Sequence, residues 1–156
     1  MSAEDGLGDT IKPRLISLKA NQNKIFALNE SITFDDKGLE SLERHVSKLK
    51  PKLIIVDPLF AYTSSKTDVN SANQSRAVSA PLTSIAAKHN CAIVLVRHIG
   101  KSKGMGDSRA AGLGSIDWRA AVRSELLVGK NPNNENEKAI IQIKNNLAKF
   151  GDAIDL

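Results

Sequence analysis

At 156 residues, 41% hydrophobic and 25% charged, the chain has the size and composition of one globular domain that buries about two-thirds of its unfolded surface. Its net charge of +5, from 22 basic and 17 acidic residues, is compatible with nearby nucleic acid but too modest to specify it. Aromatic content of 4% argues against a base-stacking platform, and no apolar run exceeds six residues, which excludes a membrane helix. No charged-then-apolar signal segment opens the sequence, and the single Cys91 has no internal disulfide partner, so the expected setting is cytoplasmic.

Along the chain, helical spacing of Ile11, Leu15 and Leu18 predicts a helix over 9–20, with Pro13 tolerated in its first turn. Residues 24–28, Lys-Ile-Phe-Ala-Leu, read as a short strand. A helix follows over 36–49, with Leu39, Leu42, Val46 and Leu49 on one face and Asp35 or Asp36 as its N-cap; Pro51 stops it. Residues 52–57 read as a strand. The polar stretch 62–68 leads into a long helix over about 70–88, for which Asn90 is the expected C-cap. The next strand spans 91–98, and the Gly-, Lys- and Ser-rich segment 99–114 reads as a loop. A short helix over 115–123 and two strands, 125–129 and 139–144, complete the pattern. The strands are joined through the turn signal Asn131-Pro132-Asn133-Asn134. Alternating strands and helices predict an α/β fold: a mostly parallel central sheet covered by helices on both faces and closed by a C-terminal β-hairpin.

Two strands end in polar residues. Leu53-Ile54-Ile55-Val56 delivers Asp57, and Ala92 to Arg97 delivers His98. In an α/β sheet the carboxyl edge is where ligands bind. An aspartate there can hold a Mg²⁺-bound water beside nucleotide phosphates, or simply cap a loop. His98 can donate to a γ-phosphate, or simply face solvent. His45 and His89 fall on helices and are expected to face solvent; no Cys/His spacing suggests zinc. Gly100-Lys101-Ser102 imitates the tail of a phosphate loop, but the glycine required five residues earlier is Leu95. A carboxylate pair stands near the N-terminus in Ser2-Ala3-Glu4-Asp5-Gly6, and cations end the short helix (Arg123) and the last strand (Lys144). Such cations either reach a neighbouring subunit's phosphates or are solvated surface.

As a set, these residues resemble the RecA-like ATPases of the replicative-helicase type, in particular plasmid RepA hexameric helicases and the ATPase domains of phage and plasmid primase–helicases. Glu4-Asp5-Gly6 with Pro13-Arg14-Leu15 is similar to that family's second-strand motif, and Leu53 to Pro58 to its Walker B segment. Val96-Arg97-His98 with Gly100-Lys101 resembles its phosphate-sensing strand. Gly114 to Arg123 resembles its arginine-bearing helix, and Lys144-Asn145-Asn146-Leu147 with Gly151 its final hairpin.

The resemblance implies a single partial RecA-like ATPase domain over 1–156, three-layered, with ATP and Mg²⁺ as cofactors. It implies Glu4 as the carboxylate that orients water, Asp57 on the Mg²⁺ side, and His98 as γ-phosphate sensor. Arg123 would be offered in trans to the next subunit of a homo-oligomeric ring, with Lys144 as a second cation. Asn146 stands where some relatives have arginine, a departure that bears on that pair. Lys101, Lys103 and Arg109 would meet single-stranded DNA phosphates, unless their loop is only a surface segment. The first strand and phosphate loop are missing, so a lost N-terminus is the expectation, with poor ATP binding by this chain alone. The alternative is a non-catalytic binding or regulatory module that keeps the fold.

Overall fold

The computed structural model describes residues 1–64, 71–98, 116–131 and 134–156. In chain order these form a single π-helical turn at Leu7–Ile11, α1 (Lys12–Ser17), α2 (Asp36–Leu49), β1 (Leu53–Val56), α3 (Ala72–His89), β2 (Ala92–Leu95), α4 (Ile116–Ala121), β3 (Ser124–Asn131), β4 (Asn134–Asn145) and β5 (Ile154–Asp155). Helix α2 has the bounds its sequence predicts. The Asp35 carboxylate accepts from Gly38 N–H at 2.9 Å, which satisfies an orphan donor of the first turn. At the other end Lys50 turns into the left-handed region at φ 48°, and Asn90 does the same after α3 at φ 49°.

β1 and β2 pair in parallel, Leu53 opposite Ala92 through Val56 opposite Leu95. Along β1 the side chains alternate, Ile54 and Val56 buried, Leu53 and Ile55 about half exposed. Ile54 and Val56 join Leu42 and Val46 of α2, Val78, Leu82 and Ile85 of α3, and Trp118 of α4 in one core. The loops close over it: Phe34 lies 5.8 Å from Tyr62 and Phe60 meets Trp118 edge-on at 6.3 Å, centroid to centroid. Between α2 and α3, Glu43 accepts from Lys88 at 2.6 Å and from His89 at 3.1 Å.

Four expectations need correction. Residues 24–28 form no strand; Lys24 closes a 3-10 turn, no neighbouring strand among the described residues offers the rest a ladder, and Phe26 is left 59% exposed. The predicted helix over 9–20 is a π-turn followed by six α-helical residues, because the chain bends at Gly6 and at Lys19 (φ 53°). His89 is not solvated but tucked against Glu43, and His45 Nδ1 donates to the Ser41 carbonyl at 2.8 Å, with Glu30 3.4 Å from its Nε2. The hairpin β3–β4 forms with β5 an antiparallel sheet of its own rather than closing the β1–β2 sheet.

Candidate nucleotide edge

The N-terminal residues lie along β1. Met1 carbonyl accepts from Asp57 N–H at 3.0 Å, and Ala3 N–H donates to Asp57 carbonyl at 2.9 Å, so Ser2 forms a parallel bridge with Asp57. On the other side, Val96 N–H donates to Val56 carbonyl at 2.9 Å. Three chain segments therefore run side by side in the order 1–3, β1, β2. All three leave the sheet at the same carboxyl edge, carrying Glu4, Asp57 and His98 respectively.

The outer two of these groups meet. His98 Nε2 lies 3.1 and 3.2 Å from the two carboxylate oxygens of Glu4, across the end of β1 and 94 residues apart in sequence. A carboxylate only accepts, so this ring nitrogen carries the proton. Both side chains remain more than half exposed, at 56% and 59%, and accessible to a ligand.

Asp57 sits between them, partly buried. Burial raises the Tyr62 hydroxyl above the ordinary tyrosine range, and the Asp57 charge raises it further. The Met1 amine is pulled down by burial, with Asp57 opposing. Beyond the edge, Arg14 donates to Asp5 at 2.7 Å and draws the segment after Glu4 back onto it. That pair is exposed and worth little energetically.

Oxygen donors at such an edge suit Mg²⁺ held through water, and Asp57 is such a donor. A phosphate cradle is a different matter. The sequence contains no Gly-x-x-x-x-Gly-Lys-Ser/Thr.

Arg123 and Lys144 lie together elsewhere, where α4 meets the hairpin. The Arg123 side chain is exposed and makes no ion pair or hydrogen bond among the described residues. Lys144 has its ammonium on carbonyls of Arg119 (2.6 Å), Val122 (2.7 Å) and Ala120 (3.3 Å). Lys101, Lys103 and Arg109 fall outside the described residues.

Spacing alone did not bring out a further charge cluster beside these groups. Glu125 of β3 lies 2.9 Å from Arg119 Nε, a charge contact without hydrogen-bond alignment, since its Oε2 is buried with no aligned donor. Arg97, next to the histidine, has a buried guanidinium nitrogen with no hydrogen-bond partner among the described residues. Burial lowers its pKa and Glu125 raises it again. The only sequence signal was an arginine and a glutamate each placed at a strand end.

A family model described as AAA domain matches residues 1–104, the part that holds Glu4, Asp57 and His98. The chain belongs to the AAA domain family. The structure of this AAA domain is similar to the crystal structure of the RadB recombinase, with a TM-score of 0.61 and 13% identity. The match covers 90% of this chain but 65% of the recombinase chain. At that identity the likeness is one of fold, and the AAA domain has a RecA-like α/β fold. No curated protein matches the sequence. Among the described residues, no helix is long and apolar enough to cross a membrane.

Proposed function

We propose that this chain is the portion of an ATP-dependent DNA helicase or replication ATPase that carries the water-side, metal-side and γ-phosphate-side groups of its site. The observation that carries the reading is the Glu4–His98 contact at 3.1 Å, reached from opposite ends of the sequence across the tail of the Asp57 strand. A bare strand-ending aspartate is common. Here it is flanked by a paired glutamate and histidine, which adds to the reading.

Mg²⁺·ATP would bring a polarised terminal phosphoryl group to the edge. Four of the chain's own residues then have roles. Asp57 would hold the metal through its water shell. His98 presents an Nε2 proton to an anionic oxygen, and Glu4, released from that proton, accepts one from a water. Arg123, exposed on a backbone held by its neighbours, is offered to the phosphates of an adjacent subunit in a homo-oligomeric ring. Lys101, Lys103 and Arg109 would follow the backbone of single-stranded DNA. This site needs a phosphate loop from polypeptide outside these 156 residues, whether upstream in the same protein or from another chain.

One observation favours a second reading. The missing phosphate-loop sequence also suits a binding or regulatory module that keeps the fold and has no turnover. Titrating Mg²⁺·ATP into the chain, and into the chain extended by a strand, phosphate loop and helix, separates the two. The proposal expects weak binding without the extension and tight binding with hydrolysis after it. Equal affinities, or measurable turnover by the 156-residue chain alone, would overturn it.

A further inference from the structure

The ammonium of Lys144 has three N–H donors, and all three have acceptors at the C-terminal end of α4: Arg119, Ala120 and Val122 carbonyls at 2.6, 3.3 and 2.7 Å. The last carbonyls of a helix have no intrahelical partner and carry the negative end of its dipole, so a cation there is doubly favoured. From this arrangement we infer that Lys144 is a positioning residue: it caps α4 and holds the backbone from which Arg123 projects, and it is not itself a phosphate ligand. The role assigned to Arg123 rests on the function proposed above; the cap itself does not.

Three further contacts build the same corner. Asn146 N–H donates to Arg123 carbonyl at 2.9 Å, Arg119 donates to Ile143 carbonyl at 2.9 Å, and Lys144 pairs across the ladder with Glu125. The carbonyls of Val122 and Arg123 are thus tied to Lys144 and Asn146, at and just past the end of β4. The Arg123 side chain is the group left exposed and without a polar partner among the described residues. A cation serving a neighbouring molecule needs this combination, a rigid base and a free head. A lysine with its donors on helix carbonyls would have to break charge-assisted bonds to reach an anion.

Two measurements on the full chain without nucleotide test this. In the first, lysine amines are labelled with acetic anhydride. Lys144 is expected to react about ten-fold more slowly than exposed Lys138 and Lys149, given the strength of hydrogen bonds to a charged group, and at the same rate with tripolyphosphate added. Labelling at the rate of Lys138, or protection only with tripolyphosphate, would overturn the inference.

In the second, a nitroxide is attached at Arg123→Cys in a Cys91→Ser background. Lys144→Met is expected to loosen the label at position 123 and leave a label at position 138 unchanged, while Lys144→Arg restores the restrained spectrum. An unchanged spectrum at 123 would refute the positioning role. Should Lys144→Met fail to fold, the labelling rates and the Lys144→Arg spectrum decide. None of these readouts requires ATP, so failure of the cap is distinguishable from failure of the ATPase reading.

Discussion

Gly38 sets two physical effects against each other, and the structure says which wins. It lies in the first turn of α2, where alanine is intrinsically better than glycine by about 1 kcal/mol. A Cβ at this position, however, would drive into the Thr33 carbonyl group and touch Ile32 Cγ2 at 3.1 Å. The carbonyl cannot swing aside without cost, because Asp35 N–H donates to it at 2.8 Å and Asp35 in turn caps Gly38 at 2.9 Å. Overpacking of this kind costs about 1–3 kcal/mol; contact with backbone rather than with a side-chain tip places it at the upper end. Subtracting the propensity gain leaves Gly38→Ala destabilised by about 2 kcal/mol. The segment displaced is the one whose Phe34 N–H donates to Tyr62 carbonyl at 2.7 Å. Urea unfolding followed by the emission of the single tryptophan, Trp118, which is 2% exposed, should show a midpoint lower by about 1 M. An unchanged or higher midpoint would mean that propensity prevails and that the Thr33–Gly38 approach is loose.

Three further outcomes are expected. Hydrogen bonds from Lys88 and His89 hold the Glu43 carboxyl below its usual range. Its contribution to stability is therefore complete above the ordinary glutamate value of about 4.3 and is lost as pH falls from there through the folded-state value. Melting temperatures from pH 7 to 3 should fall less steeply in Glu43→Gln. Trp118→Ala removes the side chain that joins α4 to Phe60 and the core and should cost about 3–5 kcal/mol by circular dichroism, whereas Trp118→Phe should cost less. Arg119→Met deletes the bond to Ile143 carbonyl and the charge beside the partly buried Glu125, which should destabilise the chain by about 1.5–3 kcal/mol in the same urea assay.

Local rules made much of the fold legible. The α2 bounds follow from Asp35, the Leu39-Leu42-Val46 stripe and Pro51, and the turn after α3 from Asn90. β1 and β2 follow from their aliphatic runs. Residues 24–28 misled because β propensity describes a strand only where another strand supplies its ladder. β5 was too short to read at two residues. At the site, Asp57 and His98 could be placed from strand ends alone. Their conjunction with Glu4 came from the family resemblance and not from strand ends, because it depends on Met1 to Ala3 lying beside β1, a pairing 55 residues distant that no periodicity announces. Lys144 was legible as a cation at a strand end, but whether its charge faces outward or caps a helix is decided by how the hairpin packs on α4. His89 was misplaced for a similar reason: its partner Glu43 is on a different helix.

The claim that Glu4, Asp57 and His98 form one nucleotide edge is tested most directly by steady-state ATP turnover of the loop-extended protein carrying Glu4→Gln. Gln keeps the size and can still bond His98, but it cannot accept a proton from water. The expected result is a loss of about 10²–10⁴ in kcat with KM nearly unchanged. Turnover equal to that of the unsubstituted protein would contradict the account.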